Sequence, residues 1–187
     1  MTKSKKSLIV GAMSKKKIAN AIVTVPDYPI PGVQFRDITS LLVEPELYRE
    51  AMAVMIRWAQ ASKFDAVVAI ESRGFIFGPA IALELGVPLI LARKPGKLPR
   101  ATESQEYALE YGTAEVHITK GTVPFAGRVL VVDDIVATGG TALATAELCR
   151  RMGADSAAIA ALANLEALGG RQRLIDAGFP VFHVIDF

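Results

Sequence analysis

Two adjacent carboxylates, Asp133 and Asp134, follow the aliphatic run Val129-Leu130-Val131-Val132 and precede Ala137-Thr138-Gly139-Gly140-Thr141. The run predicts a buried strand ending at the carboxylates, and Thr141–Met152, closed by Gly153, predicts a helix. A small turn that opens a helix can aim several backbone N–H groups and two hydroxyls at one anion. The helix dipole adds to that attraction, which suits a phosphate monoester. The carboxylates would repel the phosphate unless they faced something else, and ribose hydroxyls and a magnesium ion have the right chemistry. Other phosphate-handling patterns fit worse: the chain has no Gly-x-x-x-x-Gly-Lys-Ser/Thr and no Gly-x-Gly-x-x-Gly after a strand. A phosphoacceptor aspartate at a strand end would not need the Thr-Gly-Gly-Thr turn. An acidic strand end before a purely structural turn is the plainest alternative.

The elements around this segment repeat. Ala66–Ile70 reads as a short, wholly apolar strand, Phe75–Leu85 as a helix ended by Gly86, and Pro88–Ala92 as another strand. Ser156–Leu162 and Val181–Ile185 read as further strands. Strands without polar alternation, separated by helices, predict a parallel sheet covered on both faces. Ligands of such sheets lie beyond the carboxyl ends of the strands, so every loop that follows a strand is a candidate. Upstream, Pro45 opens a helix over Glu46–Ala61, while Pro26, Pro29 and Pro31 impose an extended path on Val25–Gly32. Between residues 93 and 119 the repeat breaks. Arg93-Lys94-Pro95-Gly96-Lys97-Leu98-Pro99-Arg100 is basic and helix-breaking. Tyr107–Tyr111 and Glu115–Ile118 then alternate around Gly112-Thr113 as a hairpin would. A long excursion between core strands suits a lid.

The bulk properties narrow the class. With 187 residues, 51% hydrophobic and 21% charged, the chain has the makings of one globular domain. No apolar run approaches the roughly 20 residues that span a bilayer. Leu8-Ile9-Val10 is too short for the core of a secretory signal, so the expectation is a cytoplasmic protein without membrane contact. Cys149, the single cysteine, sits among helical apolar residues and reads as a core filler. Six lysines (Lys3, Lys5, Lys6, Lys15, Lys16, Lys17) precede residue 18; without them 15 basic residues face 19 acidic ones, near −4. A solvated arm explains those lysines, and no base-reading or stacking groups accompany them, so no nucleic-acid partner is expected.

The Val129–Thr141 segment resembles the phosphoribosyl pyrophosphate (PRPP) motif of the type I phosphoribosyltransferases. The resemblance implies their fold: a central, mostly parallel sheet flanked by helices, with an N-terminal hood and a flexible β-hairpin lid. It also implies that Asp133 and Asp134 contact the ribose hydroxyls, while Ala137, Thr138, Gly139, Gly140 and Thr141 hold the 5′-phosphate. Three further segments are similar to the adenine branch of that family. Pro31-Gly32-Val33-Gln34-Phe35-Arg36-Asp37-Ile38-Thr39 resembles its hood, with Phe35 stacked on the purine and Gln34 and Arg36 beside it. Glu71-Ser72-Arg73-Gly74-Phe75-Ile76-Phe77-Gly78-Pro79-Ala80 resembles its pyrophosphate loop. There Arg73 offers a planar fork to diphosphate oxygens, and a non-proline cis peptide is expected near Ser72. The basic segment and hairpin resemble the branch's flexible catalytic loop. Arg93 and Lys97 would reach the diphosphate, Lys97 in a neighbouring subunit; Glu110 would be the catalytic carboxylate and Tyr111 its companion. Leu165 would close the other face of adenine.

The resemblance runs from about Pro26 to Arg173 and divides the chain into an arm (1–24) and one domain (25–187), with the hood at 25–43 and the loop near 101–119. It implies adenine and PRPP as substrates, AMP and diphosphate as products, Mg2+ as cofactor and a homodimer. Ser40 departs from the pattern, since many members carry proline there, and Asn164 stands where some carry glutamate. Two other readings stay open: a 6-oxopurine phosphoribosyltransferase, and a PRPP-sensing regulator.

Overall fold

The computed structural model describes residues 12–108 and 112–187. In chain order its elements are α1 (Ala12–Ala21), β1 (Val23–Pro26), β2 (Gln34–Asp37), α2 (Thr39–Leu42), α3 (Pro45–Ser62), β3 (Ala66–Ile70), α4 (Gly74–Leu85) and β4 (Leu89–Ala92). Then follow β5 (Thr102–Ala108), β6 (Thr113–Thr119), β7 (Arg128–Val136), α5 (Gly140–Arg151), β8 (Ser156–Asn164), α6 (Gly170–Asp176) and β9 (Val181–Asp186). Five strands form one parallel sheet in the order β4-β3-β7-β8-β9. The pairs β1–β2 and β5–β6 form separate two-stranded sheets, the second bridged to the end of β4 through Arg93↔His117.

The apolar strands predict this arrangement because both faces of the sheet need cover. Val129 and Val131 pack on the side of α5 and α6, with Leu148, Leu174 and Phe179. Leu130 and Val132 pack on the other side, against residues of α1, α3 and α4 such as Ile18, Met55 and Phe77. Cys149 is fully buried in the first of these layers, and burial pushes its thiol up to about 12, as suits a packing residue. The edge strand β4 is the exception to two-sided cover. Leu89 and Leu91 are left exposed there, and Leu83 of the neighbouring α4 is 83% exposed.

Three of the differences from the sequence reading bear on the site and its surroundings. β7 continues to Val136 because its pairing with β8 runs on through Val136↔Asn164, whereas β3 pairs with β7 only as far as Ala69↔Val132. Asp133 and Asp134 therefore lie within a strand, past the point where one neighbour has left it. The hairpin strand β5 begins at Thr102 rather than Tyr107 and pairs from Thr102↔Thr119 to Ala108↔Thr113; residues 109–111 lie outside the described residues. Finally, α1, read as part of an arm, packs on α3 and β9 and buries Ile18. Among the described residues no helix is long and apolar enough to cross a membrane.

Candidate functional site

Strand order reverses between β3 and β7: the chain winds from β3 outward to β4, and from β7 the other way to β8 and β9. Such a switch point leaves a crevice at the carboxyl edge, because the two following loops depart to opposite sides. Here the loop Glu71–Arg73 and the loop Ala137–Gly139 flank a cavity of about 460 Å³. Arg73, Asp133, Asp134, Ala137, Thr138, Gly139, Gly140 and Thr141, all expected from the sequence, line it. Lys94, Tyr107 and Ala114 line it as well. The start of α4 can press against β7 only because Gly74 lacks a side chain: a Cβ there would overlap the Val132 carbonyl oxygen. The Glu71–Ser72 peptide is cis, at the position expected.

The Ala137–Gly139 turn is held from behind. Gly139 takes φ +75° and caps α5, and the Gly170 N–H donates to the Ala137 carbonyl at 3.1 Å. Arg173 Nη1 reaches the Thr138 carbonyl at 3.5 Å. A Cβ on Gly170 would collide with Ala137 O, so α6 begins with glycine where it meets the turn. With carbonyls engaged on the rear, the N–H groups of the first turn of α5, which have no partner within the helix, remain for a ligand. Tyr107 of β5 lies over Gly140, placing the hairpin above this turn.

The carboxylates are held differently. Arg73 Nε lies 2.6 Å from Asp134 Oδ2, an ion pair by distance. The N–H direction makes no hydrogen bond there, so this oxygen, on a residue only 2% exposed, has no donor among the described residues. Asp133 accepts the Asp134 N–H at 2.9 Å and is half-buried at the cavity wall. Burial pushes its carboxyl well above the usual range, and the Asp134 carboxylate pushes it further. Among the described residues no three His, Cys, Asp or Glu side chains converge on a metal position. Two carboxylates with spare acceptor capacity suit a magnesium ion that takes most of its oxygens from phosphates and water.

Arg93 and Lys97 do not line the cavity. Arg93 forks onto Glu71 through Nε (3.2 Å) and Nη2 (3.1 Å), and its Nη1 donates to the Lys97 carbonyl at 2.8 Å. Those hydrogen bonds hold the Glu71 carboxyl below its ordinary value despite partial burial. Lys94 instead reaches the wall, which the run of basic residues could not decide. Glu110 and Tyr111 lie outside the described residues.

The hood is the β1–β2 hairpin. Phe35 is half-buried, packed edge-on to Tyr28 at 5.1 Å, with the Arg73 guanidinium 5.7 Å from its ring. Gln34 is exposed at the start of β2. Arg36 points to Thr24 and Phe187. The Ser40 hydroxyl accepts the Val23 N–H and lies 2.7 Å from the Ala21 and Asp37 carbonyls, a stitch that proline could not make. Leu165 follows β8, its N–H bonded to Val136 O. Asn164 is buried and donates to Asp186.

A family model of the phosphoribosyl transferase domain matches residues 37–182. The adenine phosphoribosyltransferase of Shewanella frigidimarina (strain NCIMB 400) is 46% identical over 172 residues, 91% of this chain and 93% of that protein. The chain belongs to the adenine phosphoribosyltransferase family. The crystal structure of the family member from Rhodothermus marinus DSM 4252 matches with a TM-score of 0.88 at 42% identity, covering 95% of this chain and 100% of that one. The adenine phosphoribosyltransferase of Saccharomyces cerevisiae, solved with adenine and an imino-altritol bisphosphate, matches at 0.86 and 34% identity, covering 93% of this chain and 99% of that one.

The acid pair gives this family member a pH signature. An acid whose folded pKa is raised contributes stability that is intact below its unfolded value, near ~4 for aspartate, and lost as pH rises through the folded value. Asp133→Asn should therefore raise the melting temperature of the ligand-free protein at about pH 7 to 8, with the gain shrinking toward pH ~4. A gain that is absent, or largest in acid, would show that Asp133 is not the strained member.

Proposed function

We propose that this protein makes AMP and diphosphate from adenine and PRPP, the reaction of its family. One observation carries the reading: a single switch-point cavity joins a helix-opening phosphate turn to an arginine-bearing loop, with the hood aromatic above that arginine. The spacing suits a ligand with phosphate at one end, diphosphate at the other and a flat base beyond.

Breaking the bond between ribose C1 and diphosphate builds positive charge on the ring and negative charge on the leaving group. The protein must stabilise both and bring the purine N9 into line. The 5′-phosphate takes Thr138, Gly139, Gly140, Thr141 and the Ala137 backbone. The ribose hydroxyls take Asp133 and Asp134. Arg73 can turn to the diphosphate because a hydroxyl then replaces it at the buried Asp134 oxygen, which is otherwise left uncompensated. Asp133 and Asp134 would help hold a magnesium ion that comes with PRPP, and that ion would supply charge neutralisation for the leaving group. Arg93 sets the basic turn through Glu71, Lys94 adds positive charge at the wall, and Lys97 is assigned to the diphosphate of a neighbouring subunit. Phe35 and Leu165 sandwich adenine, with Gln34 and Arg36 at the hood. Closure of the hairpin excludes water. By family resemblance Glu110, with Tyr111 beside it, handles the proton at purine N7.

A homodimer is supported by the uncovered Leu83, Leu89 and Leu91 on α4 and β4, a face that a second copy would bury. The cytoplasm is the compartment proposed.

Purified protein with PRPP and magnesium should convert adenine alone among adenine, hypoxanthine, guanine and xanthine, with products resolved by chromatography, and leaving magnesium out should sharply lower the yield of AMP. Product from a 6-oxopurine would overturn the base assignment, and PRPP binding without any product would favour the regulator. Glu110→Ala should lower turnover about a hundred- to ten-thousandfold with modest loss of PRPP binding, and near-normal turnover would remove Glu110 from the mechanism. Leu83→Glu should convert a dimer to a monomer in sedimentation; a dimer that persists would place the interface elsewhere.

A further inference from the structure

The two walls assigned to the purine come from distant parts of the chain, and one residue outside both walls connects them. Phe35 and Arg36 belong to β2, and Leu165 follows β8. The Phe187 N–H donates to the Asn164 carbonyl at 2.9 Å, and its carbonyl accepts the Glu166 N–H at 2.9 Å. Its main chain thus brackets Leu165 on both sides. Its ring carries the Arg36 guanidinium, with Cζ 4.3 Å from the centroid. Arg36 Nη1 also donates to Thr24 Oγ1 on β1, so the guanidinium is gripped from the hood and from Phe187 together. Among the described residues Arg36 makes no ion pair, which leaves the ring face as its counterpart.

The end of β9 beneath Phe187 is pinned by side chains as well as by the sheet. Asp186 Oδ1 accepts Asn164 Nδ2 at 2.9 Å and lies 2.9 Å from His183 Nε2, locking the end of β9 against β8. A hood formed by an isolated two-stranded hairpin has little stability of its own, so its distance from Leu165 depends on what ties it down. The Arg36–Phe187 contact is such a tie, and it lies outside the cavity assigned to PRPP.

We propose that Phe187 is a positioning residue for the purine, holding the hood over Leu165 through the face of its ring under Arg36. This rests on the adenine-transfer reading above. The contact governs the width of the base slot and not the phosphate turn, so its loss falls on adenine and spares PRPP.

The test compares Phe187→Leu, which keeps apolar bulk and both main-chain hydrogen bonds, with Phe187→Tyr, which keeps the ring face. Phe187→Leu should raise the KM for adenine roughly tenfold, while kcat and the KM for PRPP change less than about twofold. Phe187→Tyr should restore the wild-type adenine KM. Hydrogen exchange of the Phe35 to Asp37 amides should quicken in Phe187→Leu and not in Phe187→Tyr. Unchanged adenine KM and exchange, equal losses for both substrates, or tyrosine behaving like leucine would each overturn the clamp. Wild-type protein that makes no AMP would remove the adenine reading and this inference with it, whereas wild-type AMP synthesis with an indifferent Phe187→Leu removes the clamp alone.

Discussion

The parting of β3 from β7 at Ala69↔Val132 organises the rest of the molecule. Up to that point the two strands share a ladder. Beyond it, β3 turns through Glu71–Arg73 into α4, while β7 carries Asp133 and Asp134 onward beside β8. The opening exists because nothing replaces β3 along that stretch of β7. It stays narrow because Gly74 lets the start of α4 press against the Val132 carbonyl. A side chain there would push Arg73 away from Asp134, and the crevice would lose the link between its cationic and anionic halves.

Charge inside the crevice is arranged against its own stability. Two neighbouring carboxylates are withdrawn from bulk water, and a single arginine, itself 44% exposed, compensates the more buried one. Burial and like charge raise Asp133, which makes its ionised form costly in the ligand-free protein. The same arrangement favours a ligand carrying hydroxyl donors and a divalent ion, since either relieves the repulsion. The phosphate turn needs no such cation. Gly170 and Arg173 take its carbonyls from behind, and the helix end supplies the field.

Around this centre two hairpins reach the site from outside the five-stranded ladder. The β5–β6 hairpin touches the site through Tyr107 and Ala114. The hood leans on Arg73 through Phe35, on the α1 end through Ser40, and on Phe187 through Arg36. Of the two hairpins, β5–β6 is packed into the core through Val116 and Ile118 and bridged to the end of β4 at Arg93↔His117, while the hood is held by those three ties. The main sheet and α5 carry the carboxylates and the glycine-rich turn, and the hairpins carry Phe35 and Tyr107 to the site.

The sequence by itself determined the parallel α/β core, the glycine-rich turn that opens α5, the cis peptide near Ser72 and the family, because these are local. An apolar run of four followed by Asp133-Asp134 and Thr138-Gly139-Gly140-Thr141 requires one short stretch of backbone and carries its chemistry with it. Residues whose role depends on a partner far along the chain were not legible. Arg93 and Lys94 are adjacent cations, and only the position of Glu71, 22 residues earlier, turns Arg93 into a brace and leaves Lys94 at the wall. Asp133 and Asp134 read as a strand end, yet β8 extends the strand past them. Ile18 read as part of an arm, and α3 and β9 make it core. Phe187 gave no signal at all, since its meaning lies in Arg36, some 150 positions away, brought beneath the same hood by the fold. Local hydrogen-bonding and burial patterns are written in consecutive residues, whereas the pairing of side chains across the sheet is decided only when the strands are laid side by side.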